Sequence, residues 1–222
     1  NILMNTSTPL TDQGIVNTSF AWENPYSPRR QGAGVMQLHA ALETPVIVTE
    51  KTKGEAKAAL KEVGDTFSFT LTAKNYGEED ATYNVDANIQ TDFAGWGELG
   101  YNANELEAQS LQNVSITVNG QDKPEITVPA GGTVELEVTA DISEAKVVEP
   151  GVTGDFEKTV DAHSEFTNGF FVEGFVTLTD KNDTNPALTV PYVGFHGDWN
   201  AAPIIDDFAA EDSSFYGYTG LV

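Results

Sequence analysis

Three histidines, His39, His163 and His196, are the only imidazoles in a chain without cysteine. Thiol nucleophiles, zinc–thiolate sites and disulfide scaffolds are excluded at once. The histidines stand too far apart in sequence for a two-histidine helical metal motif such as H-E-x-x-H, and each reads as a hydrogen-bonded structural residue rather than a catalytic base. Gly95-Trp96-Gly97-Glu98-Leu99-Gly100 has the spelling of a dinucleotide-binding loop. That loop works only between a strand and a helix whose N-terminus holds the pyrophosphate, inside a parallel βαβ unit. The flanks here read as an antiparallel insertion, so nucleotide binding is not expected, and Trp96 and Tyr101 are expected to cap the domain or touch a neighbouring surface.

Asp180, Asn182, Asp183 and Asn185 crowd oxygen ligands into one turn, which is how a calcium site begins. The turn lacks the Gly and the distal bidentate Glu of an EF-hand loop, so an ordinary Asx-turn is the expected role, with Asp180, Asn182 and Asp183 kept as the calcium candidates. No cofactor is expected. The chain has 34 acidic residues, so some carboxylates must lie about 5–9 Å apart, the separation glycosidases use, and such a pair alone points to no catalysis. Arg29 and Arg30 differ, because adjacent guanidiniums are rare in a chain with only 11 basic residues. Their expected role is a salt bridge or carbonyl clamp at a domain junction, with substrate contact as the alternative.

With 11 basic and 34 acidic side chains, the net charge is −23. That charge repels phosphate backbones and anionic headgroups, so no nucleic-acid partner is expected. No window approaches the ~18 apolar residues of a membrane span. The Thr/Asn/Gly-rich composition leans towards an exported protein, yet Asn1 to Pro9 carries no export signal, so the expectation is a chain that is not the start of its gene.

The elements that must position these residues fall into three segments. Within 1–42, Val35, Leu38, Ala41 and Leu42 have the spacing of a short helix with one buried stripe. From Pro45 the period becomes strand-like. Phe67, Phe69, Leu71 and Ala73 alternate with polar residues, as do Tyr83, Val85, Ala87 and Ile89, and the two runs are expected to pair as a hairpin. Val114 to Val118 ends at Asn119-Gly120, a hairpin signal that makes Ile126 to Val128 its partner. Val134 to Ala140 reads as a strand with an acidic outer face. Phe170 to Leu178 and Leu188 to Phe195 are apolar on both faces, the texture of strands covered on both sides or packed against a neighbouring domain. Seven or eight strands suit an antiparallel Greek-key sandwich, with insertions at 92–111 and 143–167. After Pro203 an acidic, aromatic tail is expected to lead into another domain.

Several phrases, in order and across almost the whole chain, resemble the cell-envelope subtilisin-like serine proteases of Gram-positive bacteria, the group of lactococcal-type envelope proteinases and streptococcal C5a-peptidase-like enzymes. They are Leu3-Met4-Asn5-Thr6, Ser27-Pro28-Arg29-Arg30-Gln31-Gly32-Ala33-Gly34, Lys74-Asn75-Tyr76-Gly77, Asn168 to Val176, and Val190-Pro191-Tyr192-Val193-Gly194-Phe195-His196-Gly197-Asp198-Trp199. The resemblance implies that residues 1–42 are an α/β remnant closing the peptidase domain, that 43–200 form a fibronectin-III-like β-sandwich, and that 201–222 link to a following domain. It implies an extracellular, secreted or wall-attached parent whose partners are its own catalytic domain and protein substrates, with calcium in the parent as a further expectation. The Gly-Thr-Ser-Met-Ala-like nucleophile turn is absent, so this chain alone is not expected to hydrolyse peptides. Arg29, Arg30, Trp96, Tyr192 and Trp199 are the domain-interface or substrate-side candidates. The rival readings are a free-standing surface module binding host protein or polysaccharide through exposed aromatics, and an autonomous acidic hydrolase.

Overall fold

A computed structural model describes residues 1–11, 24–97, 100–149 and 158–201, without the side chains of 94–105. Three short helices come first, α1 (Ile2–Asn5), α2 (Pro28–Gln31) and α3 (Leu38–Glu43). Strands β1 (Val46–Glu50), β2 (Ala58–Val63), β3 (Thr66–Asn75) and β4 (Ala81–Ala87) follow. A hairpin of β5 (Gln90–Gly97) and β6 (Gly100–Ser110) leads to β7 (Ser115–Val118), β8 (Glu125–Val128) and β9 (Thr133–Asp141). An excursion holds β10 (Lys146–Val148), β11 (Thr159–Asp161) and α4 (Ala162–Glu165), and the long strands β12 (Phe170–Asp180) and β13 (Leu188–His196) close the fold.

Two sheets form a sandwich. One runs β1-β3-β9-β7, and the other runs β2-β13-β12-β4-β8, with the β5–β6 hairpin joined to β12 at Gln90 and Glu173. All pairings are antiparallel except β2 with β13. The main core lies between the sheets, where Val46, Val48, Leu71, Leu136 and Val138 meet Val85, Val128, Val176, Leu178 and Val190. A second cluster, with Ile142, Val147, Phe166, Phe170 and Val172, fills the space beneath the 143–167 excursion. Both predicted insertions are therefore real additions to the sandwich. With β2, they raise the described strands from the expected seven or eight to 13.

Two predicted hairpins are corrected. β3 and β4 lie in opposite sheets, because the Asn75 turn carries the chain across the sandwich: Asn75 Nδ2 donates to Val128 O at 3.0 Å while Tyr76 N–H donates to Pro45 O at 2.9 Å. Alternation reports only which face is buried, so it reads the same for a hairpin and for a sheet-to-sheet corner. At Asn119-Gly120 the turn does form, with φ of 51° and 71° and reciprocal hydrogen bonds between Val118 and Gln121 at 2.9 and 3.0 Å. The ladder then separates, β7 pairing with β9 and β8 with β4.

The helix expected after the glycines forms, but its apolar stripe is not buried among the described residues. Ala41 is covered, whereas Val35, Leu38 and Leu42 are 46%, 59% and 80% exposed, and Met36, Leu3 and Leu10 lie open beside them. The doubly apolar texture of β12 and β13 has the opposite outcome, since most of both strands is covered by the chain itself. Leu178, Val190 and Tyr192 point into the core. By alternation, Phe171, Glu173 and Phe175 of β12 and Thr189, Pro191, Val193 and Phe195 of β13 point to the outer face.

Candidate functional site

That outer face is divided between an N-terminal layer and an open aromatic groove. Asn5, fully buried in α1, fastens the layer to the edges of both sheets: its Nδ2 donates to Thr189 O at 3.1 Å and its Oδ1 accepts from Val48 N–H at 3.0 Å. Thr189 Oγ1 donates to Ser7 O at 3.2 Å. The strand-like crossing of Thr8 with Val35 holds the layer together. Gly34 makes that crossing feasible, with φ of +105° and space so tight that a Cβ would lie 2.3 Å from Thr8 O.

Arg29 is the second anchor. Ser27 caps α2 by accepting from Arg29 N–H at 3.0 Å, with Pro28 opening the helix, and this turn aims the Arg29 side chain at the sheet. Its Nε donates to Glu173 Oε2 at 2.8 Å, its Nη2 reaches Glu173 Oε1 at 3.3 Å, and Nη2 also binds Asp92 Oδ1. The guanidinium carbon sits 3.7 Å from the Phe171 ring centre. Glu173 is fully buried and Asp92 nearly so. Burial pushes Asp92 up to about 6; Arg29 opposes that rise and Glu173 adds to it. Burial also works against the charge on Arg29, yet the bond to Glu173 and the nearby Asp92 outweigh it and raise its pKa. Arg30 stays nearer the surface, with Nη1 3.3 Å from Glu107 Oε1.

Beyond Arg29 the outer face opens into a groove of about 690 Å³ lined by Leu60, Lys61, Phe171, Val193, Phe195 and Trp199, among others. Phe171, Phe195 and Trp199 pack edge to face, with ring centres 5.1–5.7 Å apart. Trp199 remains 59% exposed, and its backbone N–H donates to Glu62 Oε1 at 2.8 Å. The site therefore joins a cationic anchor to an apolar trough that can hold an aromatic or aliphatic side chain.

The other predicted residues lie elsewhere. Tyr192 faces the interior: it is 0% exposed, packs on Phe69 at 5.2 Å and donates to Asn88 O at 2.7 Å, so it can neither line a substrate surface nor meet a neighbour. Burial, and then Glu173, raise its pKa far above the usual phenol range. Trp96 sits on β5 opposite Tyr101, with its side chain outside the described residues. The G-x-G-x-x-G spelling spans an antiparallel hairpin, as expected. In the 180–185 turn, Asp180 Oδ1 accepts from the Asn182 and Thr184 backbones and Oδ2 from Asn185 Nδ2, which is an Asx-turn. Those bonds hold the Asp180 pKa down against the opposing effect of burial.

Sequence reasoning missed Asp92 and Glu173. Glu173 left a signal, a single acid inside the apolar run from Phe170 to Val176, which demands a buried partner. Reasoning from sequence spacing also missed that His163 and His196, with Asp65, converge in space.

Comparison with known proteins fixes the family. The Fn3-like domain family model matches residues 58–193. This chain belongs to the Fn3-like domain family. The Fn3-like region and its N-terminal layer are together 28% identical, over 97% of the chain, to a C5a peptidase of Streptococcus pyogenes. They are 30% identical, over 91% of the chain, to a PII-type proteinase of Lacticaseibacillus paracasei. The chain spans 16% of the first relative's length and 9% of the second's. A PapD-like domain of human CEP192 covers 70% of the chain, and is itself covered over 86% of its length, at 9% identity and a TM-score of 0.38, too low to inform function. No helix among the described residues is long and apolar enough to cross a membrane.

Proposed function

We propose that this chain is the non-catalytic, structural and substrate-positioning part of an extracellular subtilisin-like serine endopeptidase. Residues 1–42 are the closing strip of the catalytic domain, 43–200 are the sandwich that buttresses it, and 201–222 lead to a further domain. The supporting observation is the two-sided character of the N-terminal layer. Its inner side is fastened to the sandwich through Asn5 and Arg29, while its outer side presents Leu3, Leu10, Val35, Met36, Leu38 and Leu42. An apolar patch of that kind marks a surface made to be covered, and the relatives' names supply a proteolytic occupant.

The aromatic groove is then the substrate-side element, taking a side chain of an extended protein substrate, with Arg29 fixing the Phe171 wall. Trp199→Ala in the parent enzyme is expected to lower kcat/KM for protein substrates about ten-fold, a loss of about 1.4 kcal/mol, and to leave short peptide substrates unchanged. Deletion of 43–200 is expected to cost stability and activity together; full activity in that deletion would refute the buttress. The same groove is the observation favouring the second reading, a surface module that binds host protein or polysaccharide. Under that reading Trp199→Ala abolishes ligand binding by the isolated chain and leaves proteolysis untouched.

A further inference from the structure

The fold gathers three potential metal ligands from distant segments. Asp65 lies in the turn between β2 and β3, His163 on α4 of the 143–167 excursion and His196 at the end of β13, with one donor atom from each lying within 4.8 Å of the others. His196 Nε2 lies 2.9 Å and His163 Nε2 3.6 Å from the same oxygen, Asp65 Oδ1. The carboxylate oxygen is thus approached by two imidazole nitrogens. Only the His196 contact is a hydrogen bond, and His163 Nε2 is buried without one. A buried polar atom left unpaired is costly, and here it faces a carboxylate and a second imidazole.

The rings are held in place before any ligand arrives. His163 and His196 meet edge to face at 4.7 Å, and Phe170, which is 1% exposed, packs against both at 5.3 and 5.0 Å. His163 Nδ1 has the Asp161 carboxylate 3.9 Å away, beyond hydrogen-bond distance but on the side of the ring opposite Nε2. Asp161 itself is fixed by accepting from Ser164 N–H at 2.7 Å. Tetrahedral zinc with bonds of about 2.0–2.2 Å separates its ligand atoms by about 3.3 Å. The observed 2.9 and 3.6 Å lie on either side of that value.

We propose that Asp65, His163 and His196 form a site for one divalent transition-metal ion of the zinc class. The ion replaces the proton between His196 and Asp65, satisfies His163 Nε2, and leaves a fourth position for water. It ties the β2–β3 turn, the 143–167 excursion and the end of β13 to one centre. Two imidazoles and one carboxylate favour zinc, cobalt, nickel or copper over calcium and magnesium, which take oxygen ligands. The site is remote in kind from the many surface carboxylates, which attract any divalent ion by charge alone.

The test is calorimetric titration of the chelator-stripped 222-residue chain with Zn²⁺, in parallel with Ca²⁺, followed by the visible spectrum with Co²⁺. Zn²⁺ is expected to bind one-to-one without competition from Ca²⁺, Co²⁺ to give the intense absorption of a four-coordinate centre, and Tm to rise by about 5–10 °C at a hundred-fold excess over Kd. His163→Ala and His196→Ala should each abolish the one-to-one step. Asp65→Ala should weaken it at least about ten-fold; its exposed side chain can be removed with the fold intact, so this variant decides if a histidine variant fails to fold. Zinc binding of unchanged affinity in the Asp65 and histidine variants, weak multi-site binding shared with Ca²⁺, or no binding at all would overturn the proposal.

Discussion

At the residue scale, the Arg29 cluster holds two carboxylates against one guanidinium, so its fully ionised form carries an uncompensated negative charge in a buried place. Burial raises the pKa of Asp92 to about 6 against an ordinary value of 3.8. Between those two values the folded chain binds a proton that the unfolded chain does not. Stability from this residue therefore rises as pH falls through that window, and the cost of the ionised form is fully present above about 6. Asp92→Asn should remove the effect. Between pH 8 and pH 4, the stability difference between wild type and variant, read from urea unfolding, should change by on the order of 2–3 kcal/mol. An unchanged difference would mean that Asp92 is not the buried acid described.

At the element scale, Gly34 is where a single methyl group should matter most. Its φ of +105° and the closeness of the Thr8 carbonyl leave an alanine no tolerable position. Gly34→Ala should loosen the Thr8–Val35 crossing while leaving the sandwich folded. Trypsin cleavage after Arg29 and Arg30 should then accelerate, with a sandwich-sized fragment surviving; an unaltered digestion rate would show that the layer tolerates the change.

The elements also show what could be read from sequence. The alternating strands at 67–73 and 134–140 appear where their periodicity placed them, and the 83–89 run does so as far as Ala87, because a half-buried strand writes its exposure into residue order. Their partners did not follow, since both sheets point apolar residues at one shared core. β2 shows a different gap: an edge strand with the pattern Ala-Ala-Leu-Lys-Glu-Val and a left-handed Lys61 carries almost no alternation, so it gave no signal. Arg29 and Arg30 stood out by their rarity. The carboxylates that bind them were hidden among the 34 acidic residues of the chain, and Asp65 had nothing in its neighbourhood to mark it.

At the scale of the whole molecule, a strongly acidic body carries an apolar surface on its N-terminal layer in addition to the aromatic groove. In the isolated chain, two such surfaces can meet only against a net charge of −23 per copy. Self-association should therefore be weak at low salt and grow as salt screens the repulsion. Met36→Glu with Leu42→Glu should abolish it, with sedimentation velocity as the measurement; salt-independent association, or association that survives the double variant, would place the sticky surface elsewhere.

The bond between Asn5 and Thr189 joins positions 184 residues apart, and the layer it fastens begins at the first residues of the chain. A polypeptide emerging N-terminus first can therefore dock α1 on β1 early, but can close its bond to Thr189 only once β13 has been made. If the proposed peptidase domain precedes this chain, its closing strip would be fastened on the β13 side only after that strand has been synthesised.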